Sequence, residues 1–293
     1  MAYSETQLQT WSHQGSKAQS AATYDTIRRV LEDPAAPFAN RFFDIFLQGS
    51  YGNDTNIYAD SDVDIVICLT SVYYGDTSNL DQSQRSLYDS LFSPATYSWR
   101  EFRNEVLSWL KTKFGSAVVD GKKAIFVCGN GQRRDADVLV CAEHRRYNSY
   151  GAAYSTDYHT GIVFWLPSGT DIVNFPRQHH DNCVAKHQNS HMRFKPNVRV
   201  VKNYRNALID AGVLGNGVAP SYFLEGLLWN MPNPRFETSF TSTMNNFIDW
   251  VRSADPSQLS CANNLYWLVR DGVPVCWPSS NFRAYVAAIQ SDW

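Results

Sequence analysis

Two short apolar runs, joined by a polar stretch, constrain the fold of this chain most strongly. The first run ends at Gly49-Ser50, and the second, 65–69, opens directly after Asp62-Val63-Asp64. Side chains at positions i and i+2 of a strand share one face, so Asp62 and Asp64 would project together from a buried strand. Like charges held this close in a partly dry site repel each other and favour protonation. The segment therefore predicts a carboxylate pair that is neutralised by a divalent cation.

The Gly-Ser pair fits a phosphate group next to that cation. Gly49 allows a close approach of the backbone to a ligand, and Ser50 offers an N–H and a hydroxyl to phosphate oxygens. Mg²⁺ usually binds one or two protein carboxylates together with substrate phosphates and water. Either half alone would indicate only an ordinary turn or a capped loop. The ordered combination predicts a site for a metal-bound phosphate.

A third carboxylate is expected on a later strand. Asp137 heads the apolar run 138–140, and Asp135 has the same parity along the chain. A two-metal site for phosphoryl transfer needs a ligand near the attacking hydroxyl, beyond the pair that holds the triphosphate. Asp137 is the first candidate and Asp135 the second. The structural alternative for Asp137 is a charge that protects a strand edge.

Composition and charge exclude several classes of protein. With 293 residues, 44% of them hydrophobic, the chain is globular and can form one large domain or two lobes. A net charge of -2 argues against a long nucleic acid as partner, whereas a small nucleotide needs only a local basic pocket. The absence of a bilayer-length apolar run predicts no membrane partner. A polar N-terminus and six scattered cysteines predict a cytoplasmic protein with reduced thiols.

The patterning predicts a mixed α/β half followed by a helical half. Strands are expected at 42–47, 65–69, 118–119, 124–127, 136–141, 162–166 and 170–173. Helices are expected from Ser4 towards Leu31 with a break near Gly15, and at 99–114, 194–211, 221–231, 240–252 and 282–289. Residues 70–95 are predicted to form a loop with a short helix. The chain is thereby divided into domains at 1–185 and 186–293.

These motifs resemble those of a known superfamily. Gly49-Ser50, Asp62-Val63-Asp64 and Asp137, in this order, resemble the polymerase-β-type nucleotidyltransferases. Nearly the whole chain is similar to the bacterial cGAS/DncV-like nucleotidyltransferases (CD-NTases), and the stretches 137–147, 161–165, 172–179, 199–205 and 220–225 are most similar to the clade labelled E. The resemblance implies an α/β (α+β) fold, with a polymerase-β-like catalytic core built on a mixed sheet. A C-terminal helical lobe would complete the nucleotide pocket across a cleft.

The resemblance also implies an activity. CD-NTases condense two, or three, nucleoside triphosphates into a cyclic second messenger that activates a separate effector protein in anti-phage (CBASS-type) defence. Some clade E members make pyrimidine-containing products, so UTP and ATP are the favoured substrates. The alternatives are a nucleotidyltransferase that modifies a protein or an RNA end, and an inactive nucleotide-binding module. Intact Asp62, Asp64 and Asp137 argue against the inactive module.

Site residues carried over from the family fall into two groups. Gly49 and Ser50 would bind the donor triphosphate. Asp62, Asp64 and Asp137 would hold two Mg²⁺ ions, for which Mn²⁺ could substitute.

The second group completes the nucleotide pocket. Lys202 would contact the triphosphate, although a lysine on a helix is more often a solvated surface charge. Ser221 and Tyr222 open a helix, where N–H groups can meet a phosphate, and Tyr222 would stack on a base unless it is a core tyrosine. Asn174 would pair with a pyrimidine, or else turn the chain before Pro176.

A histidine-rich stretch leaves a structural zinc site open. Cys183, His187 and His191 would share one face of a helix at a spacing that can ligate zinc. Bacterial members of the family generally lack such a site, and asparagines in this stretch weaken a helix.

Overall fold

The helices and strands are described for residues 3–15, 17–58, 62–151 and 156–293 of a computed structural model. The strands are β1 (Phe43–Leu47), β2 (Val63–Asp76), β3 (Val118–Asp120), β4 (Ile125–Val127), β5 (Ala136–Ser149), β6 (Asp157–Trp165) and β7 (Asp171–Asn174). The helices are α1 (Glu5–Ser12), α2 (Ala18–Leu31), α3 (Gly49–Gly52), α4 (Gln82–Leu91), α5 (Trp99–Phe114), α6 (Pro176–Asn189), α7 (Phe194–Asp210), α8 (Ser221–Asn230), α9 (Phe240–Ser253) and α10 (Ser279–Asp292). Within the described residues, every helix falls short of the length and hydrophobicity that a bilayer-spanning segment needs.

The chain forms two compact units whose segments alternate along the sequence. The sheet unit comprises Ala18–Gln48 and Ser61–Phe175, and the helical unit comprises Met1–Lys17, Gly49–Asp60 and Pro176–Trp293. The predicted fold class, a mixed α/β part with a C-terminal helical part, is confirmed. The predicted domain boundary after residue 185 and the predicted cleft stay predictions, and the compact units change at Pro176.

A mixed sheet of seven described strands is the core of the sheet unit. β2 runs parallel to β5 and antiparallel to β1, while β4 and β6 pair with the other edge of β5. β3 then pairs with β4, and β7 pairs with β6. The first halves of β2 and β5 are apolar and buried because both strands lie in the middle of the sheet. The hairpin predicted around 167–169 is confirmed by β6 and β7.

Helix α5 begins and ends where its pattern predicts. Ser98 and Glu101 form a capping box at its start, and its buried positions recur at helical spacing. The buried Trp99 indole donates to the carbonyl of Val140 in β5 at 2.8 Å, which attaches the helix to the sheet.

The prediction for residues 70–95 is wrong in its first part. Helix α4 is the expected short helix, but the first residues of this stretch continue strand β2 through Asp76 instead of forming a loop. After an irregularity between Leu69 and Tyr73, β2 pairs again with β5, and Asp76 forms an ion pair with Arg146 at 3.1 Å. Cross-strand pairing of polar residues keeps this extension in the sheet although it lacks a hydrophobic run.

The helical unit is built around α7, which is buried along most of its length. The predicted helices α7, α8, α9 and α10 are confirmed, with small shifts at their ends. Helix α6, which begins at Pro176, was not among the predicted helices. Proline suits the first position of a helix, and the buried residues of α6 are His179 and Cys183, which give no apolar periodicity.

Candidate active site

The three predicted carboxylates lie at one end of the two central strands. Asp64 is the second residue of β2 and Asp137 is the second residue of β5, and the parallel register makes them direct neighbours. Asp62 lies just before β2 and is exposed, whereas Asp64 and Asp137 are half-buried. The sheet thus brings Asp137 close to Asp62 and Asp64, which are distant from it in sequence, and the catalytic role of the three acids stays a prediction.

Negative charge is concentrated around Asp137. Burial and the neighbouring carboxylates of Asp62 and Asp135 raise the pKa of Asp137 above its ordinary value. Asp135 itself accepts a hydrogen bond from the backbone N–H of Gly129 at 2.6 Å, so its carboxylate closes a turn. Asp62, Asp64 and Asp137 remain as candidate ligands. Their carboxylates are hard oxygen donors whose like charges repel each other, so they fit divalent cations such as Mg²⁺ or Mn²⁺.

The Gly49-Ser50 pair forms a tight turn within the helical unit. Gly49 has a φ of +64°, and the pair opens α3. The backbone N–H of Asn53 donates to the Gly49 carbonyl at 3.1 Å, and that of Thr55 donates to the Ser50 carbonyl at 2.9 Å. The turn is therefore closed by its own backbone, in a conformation that favours glycine.

Replacing Gly49 with alanine is expected to destabilise the protein by about 1 kcal/mol, since a side chain at this φ is strained. We also expect product formation to fall about tenfold, because strain in the turn displaces Ser50. Urea unfolding and initial rates of nucleotide turnover measure the two effects. The matched control is Gly212→Ala, at a φ of +71° with open space around it, which should lose stability but keep activity. Equal losses of activity in both variants would contradict a specific role for the turn.

The segment that follows the turn is held by cationic side chains of α7. Lys202 is 0% exposed and donates from Nζ to the Thr55 carbonyl at 2.9 Å. Arg199 donates to the Asp54 carbonyl at 2.7 Å, and Lys195 forms an ion pair with the Asp54 carboxylate at 3.2 Å. Lys202 is therefore not the solvated surface charge that its position on a helix suggested. Its contact with a triphosphate stays a prediction.

Ser221 and Tyr222 lie at the start of α8, as expected. The Ser221 hydroxyl accepts a hydrogen bond from Arg205 at 3.5 Å. The Tyr222 ring stacks on His179, with 5.1 Å between centroids and 22° between planes, and the side chain is 36% exposed. Its hydroxyl is enclosed and accepts a hydrogen bond from Asn263 at 3.2 Å, and this burial raises its pKa. Tyr222 is therefore partly exposed rather than a fully buried core tyrosine, and its stacking on a base stays a prediction.

Asn174 is the last residue of β7 in the sheet unit. It is half-buried and lies opposite Ile162 of β6. Within the described parts of the chain, its side-chain amide makes no hydrogen bond to another residue. The amide is thus available to a ligand, and its role in base selection stays a prediction.

Sequence reasoning missed one group of polar side chains in the helical unit. Among the described residues, potential metal-binding atoms that all lie within 4.8 Å of one another are found at His179, Cys183 and Glu225, and not at the three aspartates. Glu225 follows an apolar residue and precedes Gly226-Leu227-Leu228, and a charge inside such a run signals a buried carboxylate with partners.

The zinc alternative at Cys183, His187 and His191 is wrong in its geometry. Helix α6 ends at Asn189, so His191 lies beyond it with a φ of +52°. His187 accepts a hydrogen bond from the backbone N–H of Lys195 at 3.3 Å. Helix α6 thus holds Cys183 and His187 on one face but not His191, and among the described residues these three do not form a metal-binding group.

Comparisons with known proteins identify the family. Residues 181–293 match the model of the cGAS/DncV-like nucleotidyltransferase C-terminal helical domain. The chain is 35% identical over 291 residues to the cyclic UMP-AMP synthase of Rhodothermus marinus, covering 99% of this chain and 97% of that protein. The chain belongs to the CD-NTases. It is also 30% identical to a cyclic dipyrimidine nucleotide synthase of Legionella pneumophila, over 90% of each chain.

Solved structures of CD-NTases share the fold over the full length. The R. marinus CdnE c-UMP-AMP synthase, solved with Apcpp and Upnpp, has a TM-score of 0.88 at 34% identity, covering 100% of this chain and 97% of the other. The CdnE cyclic dinucleotide synthase of Elizabethkingia meningoseptica, solved with GTP and Apcpp, has a TM-score of 0.77 at 30% identity, covering 100% and 98%. The resemblance and the enzyme class are confirmed: this CD-NTase is a nucleotidyltransferase that forms cyclic nucleotides from nucleoside triphosphates. Such enzymes use divalent metal ions.

Proposed function

We propose that this CD-NTase joins UTP to a second nucleoside triphosphate, ATP or UTP, and closes the product into a cyclic dinucleotide, with one pyrophosphate released as each of the two bonds forms. The observation that carries the proposal is the direct pairing of Asp64 with Asp137, with Asp62 acting on Asp137 electrostatically. The use of UTP is supported by the similarity to a relative named for UMP and AMP and by the available amide of Asn174.

The carboxylates divide the catalytic work between them. Asp62 and Asp64 would hold two Mg²⁺ ions, and Asp137 would complete the site beside the attacking ribose hydroxyl. When bound, the ions would neutralise charge on the triphosphate and activate the hydroxyl. Because nucleotidyl transfer depends mainly on positioning and charge neutralisation, three carboxylates suffice as the reactive set.

The remaining residues would bind the donor nucleotide. The Ser50 N–H and hydroxyl, together with the N–H groups at the start of α8 near Ser221, would donate to phosphate oxygens. Lys202 would offset the triphosphate charge, and Tyr222 would stack on the base. The linear intermediate would then turn round, so that its own triphosphate becomes the donor. The messenger would activate an effector protein in CBASS-type defence in the cytoplasm.

Incubation with radiolabelled substrates tests this function. The pure protein is supplied with each nucleoside triphosphate alone and in pairs, with Mg²⁺ or Mn²⁺, and the products are treated with phosphatase. Phosphatase-resistant label from UTP alone, or from UTP with ATP, is the expected result. Product that forms only from ATP and GTP would overturn the use of UTP, and no product under any condition would overturn the synthase itself.

Replacing Asn174 with alanine is expected to reduce the preference for UTP over ATP about tenfold, equivalent to about 1.4 kcal/mol. The physical reason is the loss of an amide that donates to and accepts from a pyrimidine edge. Competition between differently labelled UTP and ATP measures the ratio. Asn148→Ala is the control, because Asn148 is another sheet-unit asparagine whose amide already donates to Asp157 at 3.0 Å. An unchanged ratio in Asn174→Ala would remove Asn174 as the selector.

A further inference from the structure

Within the helical unit, a buried carboxylate connects the Gly49-Ser50 turn with Tyr222, the two features that we propose bind the donor nucleotide there. Glu225 of α8 is 3% exposed, and its two oxygens serve different partners. Oε1 accepts a hydrogen bond from the hydroxyl of Thr55. Oε2 accepts from Asn53 Nδ2 at 3.1 Å and from His179 Nε2 at 2.9 Å. The Glu225 side chain of α8 thus links α6 to the segment that follows the Gly49-Ser50 turn.

The surroundings of Glu225 keep it ionised. Burial by itself would raise its pKa, but the hydrogen bond and charge of His179, the charge of Lys202 and the hydrogen bond of Thr55 lower the pKa below its ordinary value. A buried carboxylate is costly unless each of its partners is retained. A metal ion bound by His179, Cys183 and Glu225 would lie close to the positive charge of Lys202. The repulsion between the two disfavours a metal site there. The geometry instead suits a carboxylate that organises neighbouring groups.

The first arm of this connection reaches the phosphate-binding turn. Glu225 binds the side chains of Asn53 and Thr55, and the backbone N–H groups of the same two residues close the turn onto Gly49 and Ser50. A shift of either side chain therefore changes the turn itself.

The second arm reaches the base-stacking residue. The imidazole of His179 is bound to Glu225 on one side and stacked against the Tyr222 ring. Its other nitrogen, Nδ1, is buried without a partner in the described part of the chain, so Glu225 is the contact that orients the ring.

We propose that Glu225 is a positioning residue that fixes the Gly49-Ser50 turn and the Tyr222 ring relative to each other. The triphosphate and the base of the donor would then meet a preorganised pair of contacts. This inference rests on the proposed nucleotide site. It makes His179, Asn53 and Thr55 part of that site although none of them need touch the nucleotide.

The first experiment compares hydroxyl deletions. Thr55→Val removes the donor to Oε1 at nearly constant volume and is expected to raise KM for the nucleoside triphosphates about fivefold, whereas Thr55→Ser restores the hydroxyl and the wild-type KM. Glu225→Gln should raise KM about tenfold, since an amide cannot accept at both positions. The matched control is Thr243→Val, at a buried threonine of α9 in the same unit that donates to the carbonyls of Glu237 and Ser239. It should lose comparable stability and keep the wild-type KM.

The second experiment tests the connection between the two arms. Binding of a non-hydrolysable UTP analogue is measured for Thr55→Val, Tyr222→Leu and the double variant. We expect the two effects to deviate from additivity by a factor of about three, and to become additive when Glu225→Gln is also present. If Glu225→Gln does not fold, the Thr55 and Tyr222 variants still give the coupling.

The outcomes separate this inference from the proposed function. An active wild type with unchanged KM in Thr55→Val and Glu225→Gln, or with changes that Thr243→Val reproduces, would overturn the positioning role alone. A wild type that neither forms product nor binds the analogue would overturn the proposed function, and the inference would fall with it.

Discussion

The Asp137→Asn variant is expected to lose product formation by about 1,000-fold, because the amide cannot replace a carboxylate beside the attacking hydroxyl. Its fold should be retained or slightly stabilised when no divalent cation is added. Burial and the like charges of Asp62 and Asp135 raise the pKa of Asp137, so its ionised form is unfavourable in the folded protein. An amide of the same shape removes that repulsion while keeping the packing around β5.

Two measurements test the Asp137 prediction together. Phosphatase-resistant product gives the activity, and thermal unfolding with and without Mg²⁺ gives the response to metal, which should be large for the wild type and small for the variant. Asp135→Asn is the matched control, since it removes one negative charge two residues away while the amide oxygen can still accept from the Gly129 N–H. We expect it to lose about tenfold or less. A larger loss in Asp135→Asn than in Asp137→Asn would reverse the assignment of the third carboxylate.

The Lys202→Met variant is expected to lose both stability and turnover. Methionine retains the length of the side chain but leaves the Thr55 carbonyl without its ammonium donor and removes a positive charge near Glu225. The expected destabilisation is about 2–4 kcal/mol, as for other broken buried polar contacts. If Lys202 also contacts the triphosphate, kcat/KM should fall about 100-fold beyond the effect of partial unfolding.

Kinetics at a temperature where the variant is fully folded separate these two contributions. A KM that remains raised by about tenfold in the folded variant supports the triphosphate contact, whereas a normal KM leaves Lys202 with a structural role only. Lys186→Met provides the control. Lys186 is a half-buried lysine of α6 that donates to the Met231 carbonyl, and burial lowers its pKa to about 8. Its loss should cost stability with little change in KM.

Local patterns predicted those features whose determinants are close together in sequence. Helix α5 was predictable because its cap at Ser98 and its apolar spacing are both local. The acids at 62, 64 and 137 were predictable because each begins or precedes an apolar run, and the parallel register of β2 and β5 then makes two of them neighbours. A carboxylate at the start of an apolar strand can be recognised in the sequence without knowing which other strand pairs with it.

Features that depend on distant partners could not be predicted in the same way. The extension of β2 is held by pairing with residues about seventy positions later, and the bond between Thr55 and Glu225 spans 170 residues. Helix α6 was missed because histidine and cysteine, rather than aliphatic residues, occupy its buried positions. In each case the stabilising contact is polar and joins residues far apart in sequence, so the hydrophobic periodicity of the sequence does not reveal it.

The alternation of segments between the two units has a consequence for dissecting the protein. The helical unit includes residues from Met1–Lys17 and Gly49–Asp60 as well as everything after Pro176, so no single cut of the chain yields it complete. A fragment limited to 181–293, the portion matched by the family model, would contain Lys202 and Glu225 but would lack their hydrogen-bond partners Thr55 and Asn53. We therefore do not expect that portion to fold on its own, because truncation there would leave the buried charges of Lys202 and Glu225 without compensating partners.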